Sequence, residues 1–328
     1  MSKRILFAVN GFGMGNATRC DALADLLALE FEVDFITSDK ALRYFEISRK
    51  SSRIYAQNNI STGKSEKFGS LSFFVNFIPH FFKRIISNFK IQRKLIKSNK
   101  YDMVVFDSDY SFILHRLLGT ETLLIGLNNS FEVINYFYRN PRAIKFNLLP
   151  SLCIEFLDFL VYSVFCRYVI CPSIKPEALA GVFGKFMVVP LLIREKLMST
   201  PQPVKKYGVL VMASSSEVES PISKLGTHSF TPDNMQQLHE SRAIVCNAGQ
   251  SSISECLYLN KPALLIPIPK HAEQFVNACL ASEKGLQQSS VLTNIDFRFS
   301  GKPQYNYDYL QTAATVKKQF ATIEESLA

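Results

Sequence analysis

Residues 246–278 read CNAGQSSISECLYLNKPALLIPIPKHAEQFVNA. The order is a buried strand, a small-residue turn, a helix, a short strand, a polar loop and a second helix. The turn Ala248-Gly249-Gln250-Ser251-Ser252 falls where a parallel strand hands over to a helix. A helix start presents unpaired backbone N–H groups and the positive end of the helix dipole. Those features suit a bound diphosphate, so the stretch points to a nucleotide-type ligand.

The rest of the chain repeats this alternation. Residues 4–9 (RILFAV) read as a first strand, 11–19 (GFGMGNATR) as a glycine-rich turn, 18–29 as a helix and 31–37 (FEVDFIT) as a returning strand. That is a βαβ unit of the mononucleotide-binding type. Further strands are expected at 101–106, 121–127, 167–171 and 186–190, with a helical segment at 109–118. Between 192 and 206 the apolar periodicity is lost and two prolines appear, which marks a boundary. A second, shorter α/β unit follows, with strands at 207–213, 242–246 and 262–266 and helices at 232–240, 251–259 and 272–282. The expected division is 1–195, 205–302 and a terminal helix within 303–328 that packs on one of the two units.

Composition bounds the function. With 328 residues and 47% hydrophobic content, the chain supports two cored domains. Seven cysteines show no C-x-x-C spacing, and Cys166, Cys171 and Cys246 lie in apolar surroundings, as in a reduced compartment. The N-terminal apolar run is too short for a signal peptide, and no apolar stretch is long and unbroken enough to be expected to span a membrane. A cytoplasmic location follows, at most peripheral at the inner face of a membrane.

The net charge of +9 favours anionic partners. Between Phe68 and Tyr101 there is no acidic residue, whereas Lys83, Arg84, Lys90, Arg93, Lys94, Lys97 and Lys100 are basic. Within 68–97 the apolar residues, rich in Phe, recur at helical spacing, and Pro79 starts or kinks the helix. This is either a helix for an anionic membrane surface or a core helix with a solvated basic side. No nucleic-acid module accompanies it, so nucleic acid is not expected as a partner.

Gly11, Gly13 and Gly15 follow the first strand, but the loop is neither G-x-G-x-x-G nor a Walker A loop. Nicotinamide cofactors and ATP therefore lose ground. The loop reads as either a substrate-contacting turn with Asn16 and Arg19 as its polar groups, or a plain turn with a helix cap. Asp107 and Asp109 follow a strand end and serve either as a base or as caps for the next helix. Asn128 follows the next strand end in the same way. Glu255 lies one turn into the helix after Gly249, near enough for a ribose or sugar hydroxyl. His271, Glu273 and Gln274 form a hydrogen-bonding set after the strand PALLIPIP. No two histidines lie within eight residues of each other, so no metal site is expected.

The run from Asn247 to Pro267, with Lys270-His271-Ala272-Glu273-Gln274 after it, resembles the donor-binding segment of GT-B glycosyltransferases. The group is the one related to the peptidoglycan N-acetylglucosaminyl transferase (family 28-like), with the uncharacterised bacterial and archaeal branch beside it. The loop Gly11–Arg19 is similar to that branch's G-x-G-x-G-H-A-x-R. The resemblance implies two Rossmann-like domains facing across a cleft, the second one shortened here. It implies a metal-independent hexosyltransferase that uses a nucleotide-sugar co-substrate, UDP-linked, and no cofactor. The acceptor would be a hydroxyl on a lipid-linked or cell-envelope glycan.

By position, Gly249, Gln250, Ser251 and Ser252 would surround the diphosphate and Glu255 would hold the ribose. Glu273 and Gln274, with His271 beside them, would meet the donor sugar. Gly13, Gly15, Arg19 and Asn128 would face the acceptor. Three departures stand out. Asn16 replaces the family's loop histidine and takes no proton, so either Asp107 or Asp109 does, or transfer is slow, or activity is lost. Gln250 replaces a second glycine. The span between 213 and 232 is short. A relative that binds a nucleotide sugar or an envelope partner without turnover is the alternative reading.

Overall fold

The computed structural model describes residues 3–11, 14–58, 71–179, 184–199, 207–212, 235–289 and 308–325, with the backbone alone at 71–78, 207–208 and 324. The expected sites at Gly13 and in the 213–232 span, and the start of the basic stretch, lie outside the described residues or side chains.

Two parallel sheets form the framework. The first runs through β1 (Lys3–Val9), β2 (Phe31–Thr37), β3 (Ile54–Ala56), β4 (Met103–Asp107), β5 (Leu123–Leu127), β6 (Tyr168–Ser173) and β7 (Phe186–Pro190). Its order is β3-β2-β1-β4-β5-β6-β7, with Ile5 opposite both Val33 and Met103. The second contains β8 (Tyr207–Met212), β9 (Ser241–Cys246), β10 (Ala263–Leu265) and β11 (Gln287–Gln288), in the order β11-β10-β9-β8. Central strands such as β1 and β4 are buried on both faces, which is why they read as unbroken apolar runs rather than alternating ones.

The helices are α1 (Met14–Leu27), α2 (Asp39–Ser48), α3 (Leu71–Asn99), α4 (Phe112–Leu117), α5 (Ser130–Arg139), α6 (Leu149–Phe165), α7 (Glu195–Ser199), α8 (Met235–Glu240), α9 (Gln250–Tyr258), α10 (Ala272–Glu283) and α11 (Tyr309–Glu325). The two sheets face each other across a cleft in the GT-B arrangement, and the C-terminal sheet is the smaller. The terminal helix α11 packs on the first domain, where Val316, Phe320 and Ile323 join the core containing Phe31 and Phe35. Lys317 pairs with Glu30 at 3.0 Å beside it.

Helix α3 continues through Pro79 instead of starting there. It buries Ile85, Asn88, Phe89, Gln92 and Ile96 on the first domain, at helical spacing. Its outer side leaves Phe82, Ile86 and Ile91 exposed among Lys83, Lys90 and Lys94. Helix α6 is less expected. The segment Phe146–Phe165 holds an 18-residue window with a mean hydropathy of 1.7 and is, by length and composition, long and apolar enough to cross a membrane. Yet Glu155 and Tyr162 are buried on the protein, Tyr162 against the Phe112 ring, while Phe156, Leu157, Leu160 and Val164 are exposed. Helix α6 thus lies along the domain with an apolar outer face.

Candidate active site

The C-terminal ends of the strands in both sheets point into the cleft, and two helix N-termini meet there. Helix α1 follows β1, and α9 follows β9. The Ser251 hydroxyl donates to the Gly15 carbonyl at 3.1 Å, joining the two helix starts. Gly249 is the N-cap of α9 and supplies no side-chain cap, so the first-turn N–H groups of α9 are not capped by a side chain. The glycines divide into two kinds. A Cβ at Gly11 would meet the Ser38 carbonyl oxygen at 1.9 Å, so packing demands glycine there. At Gly15 and Gly249 a Cβ would meet nothing within 4 Å among the described residues. Protein packing does not require glycine at either, and both border open space.

Beneath this junction lies Asp107, the fully buried last residue of β4. Arg19 grips it with two bonds: Nε donates to Oδ2 at 3.0 Å and Nη2 to Oδ1 at 2.6 Å. Burial lowers the Arg19 pKa, but Asp107 more than offsets that and the net direction is upward. The third guanidinium nitrogen, Nη1, lies 3.5 Å from Gln250 Oε1. Gln250 in turn donates through Nε2 to the Pro172 carbonyl at 2.7 Å. Asn16 is half-buried on the exposed side of α1's first turn.

Asp109 is also fully buried, and its oxygens are taken. Oδ2 accepts from Gln57 and Gln92 at 2.7 and 3.0 Å, and Oδ1 accepts from the Ser111 N–H and hydroxyl. Asn128 Oδ1 accepts from the Ser130 N–H at 2.7 Å and holds the start of α5.

Glu255 faces the N-terminal domain. Its Oε1 accepts a hydrogen bond from Arg194 Nη2 in a pair whose side chains are 7% and 2% exposed. Arg194 also reaches the Tyr44 hydroxyl at 3.3 Å, and Tyr44 donates to Asp21. Arg49 pairs with Asp21 and with Asp25, and Asp25 accepts from the Glu195 N–H. One chain of polar contacts therefore links α1, α2, the interdomain segment and α9. Glu255 Oε2 accepts nothing among the described residues.

Helix α10 supplies the remaining expected residues. His271 is its N-cap, and the ring Nδ1 accepts from the Gln274 N–H at 3.4 Å. Gln274 Oε1 accepts from the Ile268 N–H and closes the preceding loop. Glu273 Oε1 accepts from Asn129 Nδ2 at 3.1 Å, across the cleft. Behind it, acidic side chains gather on α5 and α6. Burial, then Glu273, pushes Glu155 up to about 8, while Ser130 donates to its Oε2. Burial likewise raises Glu132 to about 7 and Asp158 to about 6.

The structure brings Gly15, Arg19, Asp107, Gln250 and Ser251 together, and carries Glu255 and Glu273 on α9 and α10, each bonded to the N-terminal domain through Arg194 and Asn129 respectively. Asp109 and Asn128 are tied into their own local networks. Sequence reasoning did not find Arg194, Tyr44, Glu132, Glu155 or Asp158. Glu155 and Asp158 carried one usable signal, acidic residues three apart on an otherwise apolar helix. Among the described residues, no group of three or more His, Cys, Asp and Glu is placed to hold a metal ion.

The family model described as "Glycosyl transferase family 1" matches residues 3–229. The chain belongs to that family. Residues 207–293 also match the "Glycosyltransferase family 28 C-terminal domain". A family 1 assignment makes the chain a glycosyltransferase-type enzyme, distantly related to the family 28 group. An "Uncharacterized glycosyltransferase" from Methanosarcina mazei is 24% identical over 333 residues, covering 86% of this chain and 84% of the relative. Solved glycosyltransferases share the fold. LpCGTa, solved in complex with UDP, aligns with a TM-score of 0.61 at 14% identity, covering 97% of this chain and 90% of that one. MurG of Acinetobacter baumannii gives 0.50 at 15% identity, covering 98% and 90%. UGT89C1 of Arabidopsis thaliana, complexed with quercetin, gives 0.58 at 13% identity, covering 98% and 90%.

Proposed function

We propose that this family 1 glycosyltransferase moves a sugar from a nucleoside-diphosphate donor, UDP-linked, to an acceptor hydroxyl. The observation that carries the reading is the junction of the α1 and α9 N-termini, where Gly15 and Gly249 border space that no described side chain fills. Two helix starts and a nearby guanidinium make this an anion site. The UDP complex of a protein with the same fold supports the choice of donor.

In this reading the first turn of α9, from Gly249 through Ser251 and Ser252, receives the diphosphate. Glu255 offers Oε2 to the ribose hydroxyls, while Arg194 fixes its orientation. Glu273 and Gln274 contact the donor sugar, and Asn16, Gly15 and Asn128 face the acceptor. The acceptor oxygen forms a bond to the anomeric carbon as the bond to the phosphate oxygen breaks, and the diphosphate leaves with the electron pair. Both oxygens of Asp107 and of Asp109 already accept hydrogen bonds, and Asn16 takes no proton. In this reading the acceptor proton passes to water, and transfer is slow. The aspartates serve as positioning residues.

The acceptor proposed is lipid-linked or part of an envelope glycan. The exposed apolar residues of α3 and α6, beside the lysines of α3, suit docking at an anionic membrane surface from the cytoplasmic side. The test is incubation with a panel of labelled nucleotide sugars, following release of nucleoside diphosphate. Release from at least one donor is expected, and absence of both binding and release across the panel would refute the reading.

A further inference from the structure

Family position places Arg19 with the acceptor, yet its geometry faces the other substrate. The guanidinium has five N–H donors. Three are engaged, two by Asp107 and one by Gln250 at the long distance of 3.5 Å. One N–H on Nη1 and one on Nη2 find no acceptor among the described residues. The side chain is 11% exposed, so these donors are largely shielded from water as well. Asp107 is fully buried at a strand end and cannot shift easily, so the bidentate grip fixes the plane of the guanidinium. The remaining edge is turned toward Gln250, the first residue of α9.

The surroundings select an anion. The start of α9 lacks a side-chain cap, and the start of α1 lies within one hydrogen bond of it. A planar guanidinium matches two phosphate oxygens better than it matches a neutral sugar hydroxyl. Gln250 Oε1 stands where such an oxygen would be, and as a neutral acceptor at 3.5 Å it is readily displaced by a charged one. Gln250 itself stays anchored by its Nε2 on the Pro172 carbonyl.

From this geometry we infer that Arg19 is a phosphate-contacting residue. Its free edge binds the diphosphate of the donor from the N-terminal domain, Asp107 is the positioning residue that aims it, and Gln250 holds the place while the donor is absent. The inference rests on the proposed nucleotide-sugar reading and deepens it. Because the cation belongs to one domain and the helix start to the other, the diphosphate would be clamped between them. Negative charge grows on the diphosphate as the sugar leaves, and a pre-aimed guanidinium stabilises that charge.

The test is calorimetric titration of the full chain with UDP, ADP, GDP and dTDP, and with each matching nucleoside. Arg19→Met is expected to weaken the nucleoside diphosphate that the wild type binds by about 10-fold or more, and to leave the nucleoside within about 2-fold. Arg19→Met leaves Asp107 buried without its partner, so the double variant R19M/D107N removes both and must show the same selective loss. Arg19→Lys keeps the charge but not the fork, and should fall in between. In steady state the same variants should raise the donor KM or lower kcat, with the acceptor KM unchanged. Equal diphosphate affinity in wild type and the double variant, or equal losses for nucleoside and diphosphate, would overturn the inference and leave the nucleotide reading intact. Failure of the wild type to bind any of the four diphosphates would sink that reading and the inference with it.

Discussion

Replacing Arg194 by Met tests the buried link between the domains. Removing one partner from a buried ion pair leaves the other charge uncompensated, at about 3–5 kcal/mol. Arg194 and Glu255 are enclosed well enough for that range to apply, with side chains 2% and 7% exposed. Two smaller effects oppose each other. The bond to the Tyr44 hydroxyl, 3.3 Å long, is lost and contributes at most about 1 kcal/mol. Arg194 Nε is buried with no acceptor among the described residues, so its removal relieves about 1–3 kcal/mol. The net expectation is a destabilisation of about 2–4 kcal/mol. Urea unfolding followed by circular dichroism measures it. The double variant R194M/E255L removes both charges and should return to within about 1 kcal/mol of the wild type. A single variant within about 1 kcal/mol of wild type, or a double variant as unstable as the single, would refute the reasoning.

Three further outcomes are expected. Asn16→His supplies the proton acceptor that the loop lacks and should raise kcat by about 100-fold or more; an unchanged kcat would show that proton removal does not limit transfer. Glu155 has its folded-state pKa raised from 4.5 to about 8, so its contribution to stability is complete below pH 4.5 and is lost as pH rises through 8. Thermal melts of Glu155→Gln against wild type should therefore show the variant gaining between those values and parallel curves outside them, and a constant difference would contradict the burial argument. Flotation with vesicles containing anionic lipid should carry the wild type upward and lose the variant F156D/L157D, whereas equal flotation of both would remove α6 from the docking surface.

Much of the framework was legible because parallel strands buried on both faces leave unbroken apolar runs. RILFAV and AIVC could hardly be read otherwise, and the turn at Gly249 marked the handover from β9 to α9. Helices α2 and α5 and the edge strand β3 left weaker marks, since each is short and only partly buried. The site was legible only where chemistry and turn geometry coincide in sequence. Arg19 and Asp107 lie 88 residues apart, and nothing local in either segment shows that they share two hydrogen bonds. Arg194 falls where the sequence reads only as a boundary, though its partner Glu255 was visible on its helix. Gly11 and Gly15 look alike in the loop, yet one is required by Ser38 and the other borders open space. That distinction depends on the neighbouring strand-end turn and not on the loop itself.

The most direct measurement is a crystal structure of the chain soaked with the nucleoside diphosphate it binds. The diphosphate is expected at the start of α9 between Gly249 and Gly15, with the ribose hydroxyls on Glu255 Oε2 and a phosphate oxygen on the free edge of Arg19, still held by Asp107. A nucleotide seated elsewhere, with Glu255 Oε2 unengaged and the α1–α9 junction empty, would contradict it.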